Sequence, residues 1–429
     1  MTDETRRALA ALDRDTRTRL LATLARRFGD LDLAEDALQD AIAQALVSWP
    51  ASGVPDSVEA WLTTTAKRKA LDAVRREGVL ARKLARIRLR EERAPAASAS
   101  VDPAEQVFDE DGDEFDDRLG LFFACAHPVL KPEDRIALTL RFLAGLTTAE
   151  VAHALLVPVP TMQQRIVRAK SRIRTLGVPF GVPRTADLPE RLACVQRVIY
   201  LLYAEGFARS AGAEHVRDDL TAEAIRLARM LHALMPRVAE VTGLLALLVL
   251  TQARRPARTD AGGRPVSLAE QDRTCWDAAM IAEGLALAET AAAAGLDGGA
   301  GVYAIQSAIA AVHAEAASFE TTDWVQIAVL YGLLEAREPS PVVRLGRAVA
   351  WGRARGLADG LRLLDDLAVD PVLARFRPFH VARAVTLEEL GDSAGAMRAY
   401  RRALELPGNE AEDGLLAAAF AGLDGAGHG

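Results

Sequence analysis

The sequence predicts an all-α protein, with two small helical domains followed by a long helical array. Three observations carry that expectation. Half of the 429 residues are hydrophobic while aromatics make up 5%, and few stretches alternate in the manner of strands. Apolar residues instead recur at helical spacing through most of the chain. Near the C-terminus a helix-pair pattern repeats with a period of about thirty-five residues. The boundaries that follow are residues 1–93, 94–114 as an acidic linker, 115–176 and 177–429.

The first long helical pattern runs from Thr18 to Val47 and is interrupted at Gly29-Asp30. Its second half places Leu33, Ala37, Leu38, Ala41 and Leu46 inward, leaving Glu35, Asp36, Gln39 and Asp40 as a compact acidic and amide patch. Trp49-Pro50 is expected to end this helix, with a loop to Asp56. A second helix then opens at Glu59. It buries Leu62, Thr65, Ala66, Ala70 and Val74, and presents Trp61, Arg68, Asp72 and Arg75 on a common face. That spacing lets Asp72 pair with both Arg68 and Arg75. Between Trp61 and Arg93 there are eleven basic residues and four acidic ones. A cationic helix with an aromatic near one end suits phosphates and an unpaired base, and equally a solvated helix with a core tryptophan.

Ala94 to Ser100 is a small-residue linker, and Val101 to Asp117 carries nine acidic side chains and no basic one. Such a run is a solvating tail or a mimic of nucleic acid. Helix resumes near Phe115. Cys125-Ala126-His127 has no partner at ligand spacing, so a packed helix end is expected there and no metal or cofactor. Three scattered cysteines make no disulfide framework.

Thr147 to Arg174 has the layout of helix, tight turn, helix. Thr147 with Glu150 forms a capping box, Val157-Pro158-Val159-Pro160 breaks the chain, and Pro160 suits the first turn of the next helix. Met162, Ile166, Ala169 and Ile173 form its buried stripe. Thr161, Arg165, Arg168 and Arg172 form the outward one, beside Gln163 and Gln164. A helix-turn-helix offering such side chains fits a DNA major groove.

Together, AEDALQDAIAQAL, then AWLTTTAKRKALDAVRR, then the motif at 147–174 resemble the bacterial extracytoplasmic-function sigma factors over Leu20 to Arg174. The resemblance implies core RNA polymerase and promoter DNA as partners. It casts Asp36, Gln39 and Asp40 as polymerase-binding. It assigns Trp61, Lys67, Arg68, Arg75 and Arg76 to the downstream promoter element, and Thr161, Gln163, Gln164, Arg165, Arg168 and Arg172 to the upstream one. The family often carries Phe after its glutamine–acid pair, where this chain has Ala41-Ile42, and Asp40 replaces a commoner glutamate.

Simple members of that family end soon after the second DNA module, whereas this chain continues. Gly177 to Pro183 is a stiff connector. Helices follow from Leu188, with an exposed loop at Thr259 to Pro265 and then Asp272-Arg273 and Trp276-Asp277, which suit helix packing better than a pocket. Gly356 aligns with Gly391, Leu361 with Ala396 and Leu364 with Ala399, the spacing of tetratricopeptide repeats. The arrangement resembles the sigma-factor subgroup with a tetratricopeptide-like extension, expected to be regulatory and to contact the sigma domains within the chain.

Net charge of −7 would disfavour nucleic acid if evenly spread, but basic and acidic residues are segregated. The opening residues lack a signal-peptide pattern, and the longest apolar run, Gly243 to Leu250, is too short for a bilayer. A cytoplasmic protein with no membrane partner is expected. The competing class is a helix-turn-helix regulator that does not join polymerase. An enzyme is disfavoured, since no phosphate-cradling loop or metal-binding motif is present.

Overall fold

A computed structural model describes residues 3–91, 116–155, 157–208, 216–295 and 300–426. Among these, every regular element is helical, apart from an isolated bridge between Thr259 and Pro265. The chain divides within one helix into two compact units, residues 1–198 and 199–429.

The first unit contains α1 (Asp3–Ala10), α2 (Arg14–Phe28), α3 (Leu31–Ser52), α4 (Val58–Glu91), α5 (Asp117–Cys125), α6 (Pro132–Leu138), α7 (Thr148–Ala154), α8 (Val159–Thr175) and the start of α9 (Leu188–Phe207). The break between α2 and α3 falls where the sequence puts it. Gly29 adopts φ 69°, which glycine tolerates without strain, and Asp30 caps α3 by accepting from the amides of Asp32 and Leu33.

α3 departs from expectation in three ways. It runs through Pro50 to Ser52, because Trp49 is buried with Leu9 and Ala45 and packing holds the last turn together. Leu46 is exposed rather than inward: the buried stripe is Ala34, Ala37, Ala41, Ala45 and Trp49, and Leu46 lies one residue round from it. Leu33 is only half-buried. On α4, Leu62, Ala66 and Ala70 are fully buried, while Thr65 and Val74 are half-buried.

The linker and most of the acidic run, residues 94–115, lie outside the described residues. The last two acids of that run are structural. Asp116 caps α5 and chelates Arg118, and Asp117 pairs with Arg26 at 2.8 Å. Arg118, through its hydrogen bonds and charge, holds the Asp116 carboxyl below the usual range, against the opposing effect of burial, which is the largest single influence. Cys125 is buried, and burial raises its thiol pKa. His127 accepts from the Val129 amide, and burial first, then Arg191 and Arg135, lowers its pKa to about 4. The connector is docked rather than suspended. Val178 and Phe180 are buried, and the Phe180 carbonyl would sit 2.5 Å from a Cβ at Gly120.

The second unit contains the rest of α9, then α10 (Asp218–Leu234), α11 (Ala239–Ala253), α12 (Ala278–Gly295), α13 (Val302–Glu315), α14 (Trp324–Arg337), α15 (Pro341–Arg355), α16 (Leu357–Leu367), α17 (Arg377–Glu389), α18 (Ser393–Leu404) and α19 (Glu410–Ala426). α11 is apolar on more than one face because α10, α12 and α13 all pack on it. Gly243 makes this possible, since a Cβ there would meet the Ala304 backbone nitrogen at 2.6 Å. From α14 onward each helix packs on the next. The aligned glycines Gly356 (φ 131°) and Gly391 (φ 82°) both turn one helix into its partner. Leu361 of the first pair packs against the cluster around Ala396 and Ala399 of the second. Neighbouring pairs thus share a core, as stacked helical pairs must.

Candidate polymerase and promoter interface

The helix-turn-helix forms as its residue chemistry demands. Thr147 Oγ1 accepts from the Glu150 amide at 3.2 Å, and the Glu150 carboxylate accepts from the Thr147 amide at 2.7 Å. Hydrogen bonds from the Thr147 amide first, and then its hydroxyl, to the Glu150 carboxyl lower the Glu150 pKa. Pro160 sits in the first turn of α8. Met162, Ile166, Ala169 and Ile173 are each at most 4% exposed. Thr161, Gln163, Gln164, Arg168 and Arg172 face solvent. Arg168 holds the Gln164 amide oxygen at 3.4 Å, which aligns two polar groups on one face. Arg165 is half-buried, with Nε 4.0 Å from Asp134. Val167, which the sequence argument passed over, is 60% exposed beside Gln163, Gln164 and Arg168. An exposed apolar side chain on an otherwise polar face, four residues after Gln163, was the signal available.

On α3, Asp36, Gln39 and Asp40 are exposed. Val47 continues their side of the helix at 75% exposure, seven residues beyond Asp40 and so two turns along. Glu35 does not belong to this patch. Its carboxylate accepts from Arg141 and lies 3.8 Å from Lys170 Nζ, while Asp32 also pairs with Lys170. Arg174 reaches Asp30 at 3.3 Å. The first turn of α3 is therefore tied to the C-terminal half of α8. Both partners are charged to suit it, with carboxylates at one helix's start and cations near another's end. Arg141 and Lys170 also lie 5.4 and 5.8 Å from the centre of the buried Phe142 ring.

On α4, Trp61 is half-buried, edge-on to Trp49 with ring centres 5.1 Å apart. Lys67 is half-buried, and Arg68, Arg75 and Arg76 are exposed. Only one of the two expected ion pairs forms: Arg75 lies 3.8 Å from Asp72, and Arg68 makes no ion pair among the described residues. Arg76 instead donates to the Asp72 carbonyl, competing for the same turn. The side chains of the basic residues beyond Arg76 on α4 lie outside those described.

An exposed acidic patch, then a basic helix, then a helix-turn-helix is the arrangement of a promoter-specificity subunit. Residues 12–79 match the model of sigma-70 region 2, and residues 123–173 match that of sigma-70 region 4. Residues 191–292 match a family of unknown function (DUF6596). An uncharacterized protein of Rhizobium meliloti (strain 1021) is 40% identical over 401 residues, covering 92% of this chain and 91% of its own length. No solved structure matches. The chain belongs to the sigma-70 family, as an extracytoplasmic-function-type sigma factor with a C-terminal extension. Its regions 2 and 4 bind core RNA polymerase and promoter DNA and direct promoter recognition in transcription initiation.

Proposed function

We propose that the sigma activity is divided among three surfaces and governed by the extension. Asp36, Gln39 and Asp40 grip the polymerase clamp, with Val47 extending the contact along α3. The observation that carries this assignment is that the three polar groups face solvent while their neighbours Asp32 and Glu35 are consumed by ion pairs. Trp61, Lys67, Arg68, Arg75 and Arg76 handle the downstream element. Thr161, Gln163, Gln164, Arg165, Arg168 and Arg172 handle the upstream one, and Val167 offers an apolar contact to a thymine methyl. The functional divisions are residues 1–93, 94–114, 115–176 and 177–429, at work in the cytoplasm where core polymerase is found. The chain itself catalyses nothing.

Residues 177–429, with tetratricopeptide-like pairs at their end, regulate the sigma domains through contact within the chain. Supporting this, the connector is short and Val178 and Phe180 are buried, which limits how far the array can swing. The test is run-off transcription with purified core polymerase, comparing the full chain with a version ending after Ala186. Ending there retains the buried Val178 and Phe180, the latter beside Gly120 of α5. A several-fold change in promoter-dependent transcript is expected. Equal transcription, with no association of the separately supplied extension, would leave the array a tethered scaffold.

A further inference from the structure

The extension holds a second concentration of charge that promoter recognition does not use. α11 ends at Ala253, and three arginines follow within five residues: Arg254, Arg255 and Arg258. Arg255 is accounted for by a two-pronged pair with Asp218, at 2.5 and 2.9 Å. Arg258 is buried, donates to the Phe207 carbonyl at the end of α9, and stacks on the Phe207 ring. Arg273 donates through one terminal nitrogen to the carbonyls of His313 and Ala316 at the end of α13, both at 2.6 Å, and through the other to the Thr322 hydroxyl at 3.3 Å. Arg254 and Arg273 both lie against Trp276, 5.5 and 4.8 Å from its ring centre. Their guanidinium carbons are therefore no more than about 10 Å apart.

The acids beside these cations in sequence face elsewhere. Asp272 accepts from the Thr274 amide and hydroxyl, and Asp277 caps α12 through the amides of Ala279 and Met280. Neither Arg254 nor Arg273 forms an ion pair with a described carboxylate. Three helix ends, those of α9, α11 and α13, meet the three cations, and each end supplies roughly half a negative charge. Glu320 acts electrostatically on Arg273 and Glu412 on Arg258, whereas the charges acting on Arg254 are those of Tyr203 and Arg273 and include no carboxylate. Burial first, with the neighbouring arginines adding to it, pushes Arg254 and Arg258 down to about 10 and His313 down to about 4.

Unused donors point the same way. Trp276 is 6% exposed, and among the described residues its indole Nε1, which can only donate, has no hydrogen-bond partner. Arg254 uses only Nε among the described residues, on the Gln271 amide oxygen at 3.3 Å. Its terminal nitrogens keep the fork that matches two oxygens of one anion.

We propose that Arg254, Arg273 and the Trp276 indole N–H form a binding site for a small oxyanion of the carboxylate or phosphate type. Three of its features fall within the stretch matched to the family of unknown function. The site gives the extension a ligand of its own, independent of the promoter and clamp surfaces.

Calorimetric titration of the full-length protein at constant ionic strength tests this, with inorganic phosphate in one arm and malonate in the other. Saturable binding of at least one anion is expected, with a dissociation constant at or below about 1 mM. Which arm saturates identifies the ligand as phosphoryl or carboxylate. Arg254→Gln should weaken it at least about tenfold, and Trp276→Phe, which keeps a ring but loses the N–H, about fivefold. Arg254→Lys, retaining a point charge without the fork, should fall between wild type and Arg254→Gln. If Arg254→Gln fails to fold, Trp276→Phe carries the comparison. No saturable binding in either arm, or unchanged affinity in the folded variants, overturns the proposal.

Discussion

The carboxylate of Glu35 lies 3.8 Å from the ammonium of Lys170, and the same carboxylate accepts from Arg141. One acid of region 2 thereby holds two cations of region 4, all three side chains less than a quarter exposed. Its neighbour Asp36 faces solvent. Adjacent acids should consequently fail in different ways. Glu35→Gln takes the carboxylate from the partly buried Arg141 and leaves Lys170 with Asp32 alone, and should cost about 2 kcal/mol of stability. Asp36→Asn should stay within about 0.5 kcal/mol of wild type. Urea denaturation followed by circular dichroism compares them, and equal shifts of the two midpoints would refute the distinction.

On the recognition helix, Arg168 is exposed and among the described residues its side chain hydrogen-bonds to Gln164 alone, whereas Arg165 is partly held by Asp134. Replacing either by Ala should weaken promoter binding without unfolding the protein. A base contact would cost about 1–3 kcal/mol and relax specificity at one position. A phosphate contact would weaken all sequences alike and flatten the salt dependence. Wild-type binding by both variants across a salt series would remove this helix from the promoter interface.

Gly243 and Gly414 both sit inside helices, with opposite surroundings. A Cβ at Gly243 meets backbone of α13 at 2.6 Å, and one at Gly414 meets nothing within 4 Å. Gly243→Ala should destabilise by about 1–3 kcal/mol, because backbone cannot step aside. Gly414→Ala should stabilise by about 0.5–1 kcal/mol through helix propensity alone. Thermal melts of the two variants should move in opposite directions.

His313 supplies a pH dependence. Its folded pKa is about 4, lowered first by burial and then by Arg254 and Arg273, against an ordinary 6.5. As pH falls, the unfolded chain takes up the proton first. The stability contribution is thus full above 6.5 and is lost towards 4. Allowing for partial exposure, the loss is on the order of 2 kcal/mol. His313→Gln should therefore lose less stability than wild type between pH 7.5 and pH 5, and a larger loss in the variant would contradict the assignment.

Local chemistry was legible and distant pairing was not. The capping box at Thr147 and Glu150, the Gly29-Asp30 break and the Met162 stripe each depend on residues within a few turns, so periodicity and cap preference suffice. Glu35 looked like part of the open patch because its partner Arg141 lies 106 residues away. Pro50 looked like a helix end because the burial of Trp49 beside Leu9 is tertiary. The double contact of Arg254 and Arg273 on Trp276 joins two segments separated by the loop at Thr259 to Pro265. Helix-face reasoning assigned Asp272 and Asp277 to packing, and both proved to be caps. The exposed Val47 and Val167 were missed because outward stripes were sought among polar residues alone.

The open acidic patch of α3 is the proposed grip on polymerase. An Asp36→Lys, Asp40→Lys double variant should keep wild-type helical content by circular dichroism, since both side chains face solvent. The measurement is its affinity for purified core RNA polymerase beside that of the wild-type chain. At least a hundredfold loss, about 2.7 kcal/mol or more, is the predicted result. Wild-type affinity in the folded double variant would contradict it.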